Sequence, residues 1–222
     1  MKHRLVLACV MMAAFAATAG IATAAVIVAP VAGVINSGGP GFGSLADTFN
    51  QNGLSSGYVS GVTDFDVYLG TNPTHTTTFG GFEWFSNSGT SSASVTYDLG
   101  SVMQIDRLAL WNEESSGIGS LDLYGSTDNV TFNLIVSGLL PTDHALVNYG
   151  ADVFNLGATN ARYVRFDMSG CPQPNNGTFN ACAIGEVAFS SGGAGAIPEP
   201  GTAVLLGLGI AGLGLIRRKR AN

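Results

Sequence analysis

Ala93-Ser94-Val95-Thr96-Tyr97-Asp98-Leu99 alternates apolar and polar side chains without a break, and Gly100 ends the run. A period of two puts Ala93, Val95, Tyr97 and Leu99 on one face of an extended chain and Ser94, Thr96 and Asp98 on the other, the pattern of a strand with one buried face. Similar alternation surrounds Val130, Phe132, Leu134 and Val136, and shorter strand candidates occupy residues 105–111, 121–124, 163–168 and 184–189. Turn signals such as Leu99-Gly100 and Thr127-Asp128-Asn129 separate them. No amphipathic helix of length competes. The spacing predicts an all-β domain: an antiparallel β-sandwich, closed as a jelly roll.

Outward from these strands the character of the chain changes. Of 222 residues, 31 are glycine and only 11% are charged, which excludes an ordinary cytosolic enzyme composition. The 46% hydrophobic content would suit a membrane protein, but the apolar residues concentrate at the two ends. Between the ends about 170 residues remain, enough to bury about 70% of the unfolded chain's surface around one core. Lys2 and Arg4 stand at the start and Arg217, Arg218, Lys219 and Arg220 at the finish. The middle therefore has Arg107, Arg162 and Arg165 as its only permanent cations against fourteen carboxylates, a net charge of −11. Such a field repels polyanions and excludes nucleic acid, whose binding needs several Lys or Arg per site.

The ends read as address labels. Lys2, His3 and Arg4 precede an uncharged run over residues 5–19, and Ala22-Thr23-Ala24 offers an A-x-A cleavage site. Residues 1–24 thus have the three parts of a secretory signal peptide, an uncleaved anchor being the alternative. Cys9 would leave with it, and Cys171 and Cys182 would remain as an even pair that an oxidising compartment can join. Closing so short a loop stabilises the fold by about 3 kcal/mol in the chain-entropy model. At the other end a Gly- and Ala-rich linker, residues 191–197, leads to Pro198-Glu199-Pro200 and an uncharged run over 202–216. As a transmembrane helix, fifteen residues reach about 22 Å, short of the ~30 Å hydrocarbon core. The basic cluster at 217–220 would stay cytoplasmic and place the middle domain outside.

Pro198-Glu199-Pro200, a short Gly- and Leu-rich span and a terminal arginine cluster together resemble the PEP-CTERM sorting signal of Gram-negative bacteria, over residues 198–222. The resemblance implies recognition by an exosortase, cleavage at or near the Pro-Glu-Pro, a transient membrane anchor, and release to the cell surface or extracellular matrix. The residues suit that chemistry: two prolines bracketing Glu199 remove two backbone donors and hold the tripeptide extended. A simple tail anchor is the alternative. Gly207-Leu208-Gly209-Ile210-Ala211-Gly212 has dinucleotide-fingerprint spacing, but no strand precedes it and no acidic residue follows about 20 positions on, so it reads as glycine of the span.

A second resemblance lies in the order of the strands. Val95-Thr96-Tyr97-Asp98-Leu99-Gly100, Ile105-Asp106-Arg107-Leu108-Ala109-Leu110 and Leu121-Asp122-Leu123-Tyr124-Gly125-Ser126, followed by Ala161-Arg162-Tyr163-Val164-Arg165-Phe166 and Ile184-Gly185-Glu186-Val187, are similar to the discoidin, or F5/8 type C, family. The similarity spans residues 45–190, after a Gly-rich lead-in at 25–44. It implies a galactose-binding-like jelly roll whose loops at one end bind sugars, lipid head groups or proteins. It also implies a structural calcium ion at Asp64, Asp66 and Glu186, although a solvated Asp-x-Asp pair is equally open.

For a ligand face, the segment 75–86 holds Phe79, Phe82, Glu83, Trp84 and Phe85 among Thr and Gly. An exposed ring beside carboxylates or amides suits a sugar, which offers apolar C–H faces ringed by hydroxyls. Trp84, Glu83 and His75 are the candidates there, with Asn112 and Glu113, beside Glu114, at another strand end. For Trp84 core packing is the competing reading, and Trp111 reads as core. No H-E-x-x-H and no G-x-S-x-G occurs, so nothing positive supports an enzyme. The sequence predicts a non-catalytic, exported module that binds extracellular polysaccharide or envelope glycan, neutral unless calcium bridges it. A structural matrix protein without glycan specificity is the alternative.

Overall fold

The computed structural model describes residues 25–192 except 176 and 178. The signal peptide, residues 193–197 of the linker, the Pro-Glu-Pro tripeptide, the apolar span and the arginine tail lie outside the described residues. Eleven strands follow in chain order: β1 Val26–Val28, β2 Ala32–Ser37, β3 Phe42–Gly43, β4 Thr74–His75, β5 Trp84–Phe85, β6 Ser92–Asn112, β7 Ser120–Ser126, β8 Asn133–Leu139, β9 Tyr149–Gly150, β10 Asp152–Ser169 and β11 Ala183–Ser191. A 3-10 turn, Leu45–Phe49, and one short helix, α1 Phe65–Leu69, interrupt them. Among the described residues no helix is long and apolar enough to cross a membrane.

The architecture follows from two long antiparallel strands, β6 and β10, that run through both layers of the sandwich. Their paired register extends from Ser92↔Ser169 to Leu110↔Asp152. In one layer the first half of β6 pairs with β2, and the second half of β10 with β7, which pairs in turn with β8. In the other layer the second half of β6 pairs with β11, which is flanked by β1 and β5. Gly100 sits between the two halves of β6 at φ +85°, a conformation L side chains rarely adopt, and bends the strand there. All these pairings are antiparallel, as the alternation at residues 93–99 requires.

Inside the sandwich Val95, Tyr97 and Leu99 of β6 meet Val164, Phe166 and Met168 of β10 and Val187 and Phe189 of β11. Tyr97 and Phe166 pack edge to face, 5.1 Å between ring centroids. Each such side chain contributes roughly 1.5–3 kcal/mol by leaving water. On the outer face of the second layer Ala109, Trp111 and Ala188 are covered by Phe65, Tyr68 and Tyr58 of the loop carrying α1. Trp111 is core, and its Nε1–H donates to Pro73 O at 3.0 Å.

Two expectations are corrected. The Gly-rich segment 25–44 is part of the sheet: β1 pairs with β11 and β2 with β6, because Val26-Ile27-Val28, ahead of the first glycine, and Val34-Ile35, after Gly33, supply strand-forming side chains. The strand expected around Val130 starts instead at Asn133. Asp128 Oδ1 accepts the N–H groups of Val130 and Thr131, both at 2.9 Å, and a turn closed by a carboxylate has no donors left for a ladder.

A cleft and a buried carboxylate cluster

β5 is two residues long, and its pleat separates two environments. Trp84 points into the sandwich and is wholly buried, its Nε1–H donating to Pro40 O at 3.0 Å. Phe85 lies on the opposite side and packs edge to face against Phe179 at 5.6 Å, Phe42 at 6.3 Å and Phe79 at 6.4 Å. These four rings wall a cleft of about 550 Å³ whose polar lining is Thr77, Glu114 and Ser115. Phe42 is 46% and Phe79 57% exposed, so two rings present faces to solvent. Trp84 is therefore not the surface platform expected from sequence; the phenylalanines on the other side of its strand are.

The Cys171–Cys182 disulfide is formed, and its loop brings Phe179 to the cleft. Ser116 Oγ donates to Phe179 O, Gly89 N–H to Asn180 O at 2.7 Å, and Ser86 N–H to Cys182 O at 2.8 Å. Phe42 arrives from β3, which pairs with β5 at Phe42↔Phe85. Neither residue lies in the segment 75–86 that sequence singled out, and no local signal marks them.

Behind the cleft wall Glu83, Glu113 and Glu114 converge, one oxygen of each within 4.8 Å of the others, and all three are buried. Glu83 precedes β5 on the Phe85 side; Glu113 and Glu114 follow the end of β6. The Tyr149 hydroxyl donates to Glu83 Oε1 at 2.7 Å and lies 3.0 Å from His75 Nδ1, which is itself 3.3 Å from Glu83 Oε1. Gly185 makes room for that hydroxyl, because a Cβ there would collide with it. Burial, then the charge of Glu83, holds the Tyr149 pKa well above 10, so it stays a donor. Glu113 accepts from Ser115 N at 3.0 Å, Ser115 Oγ at 2.6 Å and Ser116 N. Glu83 Oε2 and Glu114 Oε2 have no hydrogen-bond partner.

Of the other candidates, His75 and Glu83 are brought together, but in the interior rather than at the surface. Asn112 has its side chain consumed by structure: Oδ1 accepts from Ile118 N at 2.8 Å, and Nδ2 donates to Gln173 Oε1 at 2.7 Å and Thr142 O at 2.9 Å. It has nothing left to offer a sugar.

The carboxylates expected for calcium do not fit one ion. Asp64 caps α1, accepting from Val67 N at 2.8 Å. Asp66 is paired with Arg107, whose guanidinium lies over the Phe65 ring at 4.4 Å. Glu186 is buried at 0% exposure, with Oε2 accepting from Gln51 N at 3.0 Å and Oε1 bare. Among the described residues only Glu83, Glu113 and Glu114 bring three potential ligand groups within 4.8 Å of one another.

The cluster carries a pH prediction. Burial, reinforced by Glu83, pushes Glu113 up to about 8, and burial lifts Glu114 to about 6. An unfolded glutamate titrates near 4.3. Between about pH 4.5 and 8 the folded chain therefore holds protons that the unfolded chain has released, and stability falls as pH rises through that window. In chelator, Tm should drop by about 5 °C or more from pH 5 to pH 8. His75, Tyr149 and Glu83 face the same cluster, so Glu113→Gln and Glu114→Gln are the controls: each should flatten the slope. A Tm that is level or rising over this range in the native chain would contradict the prediction.

The chain is similar to several solved binding modules, each at a TM-score below 0.5. Chitosan-binding module 1 from a chitosanase/glucanase of Paenibacillus sp. IK-5 is 18% identical, over 72% of this chain and 92% of that one, with a TM-score of 0.45 to 0.46 in two structures; this chain is covered 73% and that chain 95% in the second, at 17% identity. The CBM32 of AlyQ in complex with 4,5-unsaturated mannuronic acid is 18% identical, over 73% and 95% of the two chains, with a TM-score of 0.43. CpGH89CBM32-5 from Clostridium perfringens, in complex with GalNAc-beta-1,3-galactose, is 16% identical over 48% and 73%, with a TM-score of 0.39. No curated protein matches the chain. A family model for the PEP-CTERM protein-sorting motif matches residues 196–220, and one for the F5/8 type C domain matches 60–187. With more than half its length matched by that second model and the antiparallel sandwich to go with it, the chain belongs to the F5/8 type C family and carries a PEP-CTERM sorting motif at its C-terminal end.

Proposed function

We propose that the chain is an exported, surface-sorted, non-catalytic module that binds extracellular glycan through the phenylalanine-walled cleft. The observation that carries this reading is the cleft itself: exposed faces of Phe42 and Phe79 above Phe85 and Phe179, with Glu114, Ser115 and Thr77 as the polar lining. Apolar walls with a few placed oxygens match the two-sided chemistry of a sugar ring. The middle domain's net charge of −11 disfavours sulfated or uronic polymers, so the expected ligand is neutral. The sorting motif supports transit through the inner membrane of a Gram-negative bacterium and exosortase processing at Pro198-Glu199-Pro200. The partner after processing is then the polysaccharide layer or envelope outside the cell.

The full chain, applied to a glycan array with chelator and again with calcium, should retain neutral oligosaccharides above background. Retention of acidic polymers alone in chelator, or of nothing in either condition, overturns the reading.

A further inference from the structure

We propose that Glu83, Glu113 and Glu114 form a binding site for a hard divalent cation, calcium foremost, set in the wall of the cleft. The geometry suits one ion: three oxygens within 4.8 Å of one another have a common centre no more than ~2.8 Å from each, and a small side-chain adjustment closes that to the ~2.4 Å of a calcium–oxygen contact. Two further observations point to a ligand. Glu83 is wholly buried yet its Oε2 has no donor, and Glu114 Oε2, also buried, is equally bare. A buried oxygen without a partner is costly unless something not in the chain meets it.

No side-chain cation balances the cluster. The three arginines of the described residues are engaged elsewhere, Arg107 with Asp66, Arg162 with Asp98 and Arg165 with Asp167. His75, 3.3 Å from Glu83, and His144, whose ring lies 5.4 Å from that of Tyr149, are the nearby groups able to take a positive charge. The donor set is all oxygen, with no thiolate and no imidazole, which favours calcium, magnesium or manganese over zinc or copper. Three carboxylates offer three to six oxygens, and calcium takes six to eight. Glu114 and Ser115 line the cleft as well as the cluster side of the wall, so an entry path exists and water or a ligand hydroxyl can complete the shell. Acids sharing protons are the competing account of three buried carboxyl groups, and the two differ in what calcium does.

The site does not rest on the glycan reading, and its test uses no glycan. The full chain in detergent, stripped with chelator at pH 7.5, is melted with calcium, magnesium or manganese chloride alone. Native protein should gain roughly 5 °C or more in Tm at millimolar calcium by mass action. Glu114→Gln should melt higher than native protein in chelator, because one repelling charge is gone, and should lose the calcium response. That pairing of signs separates a lost ligand from a misfolded variant. Glu83→Gln, close in shape inside the cluster, should lose the response as well, whereas Glu186→Gln should keep it. Terbium luminescence, excited through the aromatic side chains, should titrate one site per native chain and be displaced by calcium. A native Tm unmoved by all three ions shows shared protons and overturns the proposal. A calcium response that survives Glu114→Gln and Glu83→Gln but disappears in Glu186→Gln overturns it too, by placing the ion elsewhere.

Discussion

Trp84→Ala should unfold most of the domain's margin of stability, lowering it by about 3–5 kcal/mol. The side chain is at 0% exposure in the core between the layers, on a strand whose neighbours are Ile184 of β11 and Gly43 of β3. Truncation leaves an indole-sized void in packing that relaxes only partly, and it orphans the Pro40 carbonyl that now accepts from Nε1 at 3.0 Å. Domains of this kind are stable by only about 5–15 kcal/mol, so the change takes a large share. Denaturant melts of native protein, Trp84→Phe and Trp84→Ala would show the graded loss, with phenylalanine intermediate because it keeps most of the volume and loses the donor. The same pair separates burial from contact. If Trp84 only builds the core, Trp84→Phe keeps glycan affinity, and Trp84→Ala loses it only in proportion to the unfolded fraction. A folded Trp84→Ala with a native midpoint would place the indole at the surface and refute the account.

Why Trp84 was ambiguous in sequence has a physical cause. Alternation reports which face of a strand is buried only when the other face carries polar side chains, as at residues 93–99, where Ser94 and Asp98 are part-exposed and the buried Thr96 accepts from Asn36 Nδ2. Residues 83–86 are all buried, because the sandwich lies on one side and the loops around the cleft on the other. A strand of two residues with both faces covered gives no phase to read. The closing strand at 184–189 is also buried on both faces, but its length and its Ile, Val and Phe side chains mark it without a phase, and the Cys171–Cys182 pair follows from simple arithmetic. Glycine obscures only part of the first strands: every glycine of the segment 25–44 lies at Gly33 or later, and Val26-Ile27-Val28 is an ordinary strand triplet ahead of them.

The candidate site divides along the same line. Glu83, His75 and Glu113 could be named because polar residues beside aromatic ones stand out in a chain with 11% charge. What they do could not be read, because burial is a property of the assembled loops. Asp64 and Asp66 are engaged locally: one carboxylate caps the helix it begins, and the other meets an arginine 41 positions away. The cleft itself is assembled from β3, the loop before β5, β5, the turn after β6, the β8–β9 loop that carries Leu146 and the disulfide loop, segments far apart in sequence that strand order brings together.

Removing both exposed rings, Phe42→Ala with Phe79→Ala, should weaken glycan binding by roughly 30-fold or more while the domain stays folded. The two rings touch each other at 5.5 Å and rest on Phe85, so they act as one surface, and truncating a central aromatic contact typically costs 2 kcal/mol or more of binding. Their own burial is partial, 46% and 57% exposure, and the stability lost with them should be about 1 kcal/mol, far below the Trp84 cost. Binding and stability thus separate in opposite directions at the two faces of β5: the inner ring governs folding and the outer rings govern recognition. Affinity measured by calorimetry on native, single and double variants, with melting on the same samples, tests both halves. The double variant should lose more than either single change alone. If it binds the array ligands as the native chain does, the cleft is not the recognition surface, and the module is better described as a structural element of the extracellular layer.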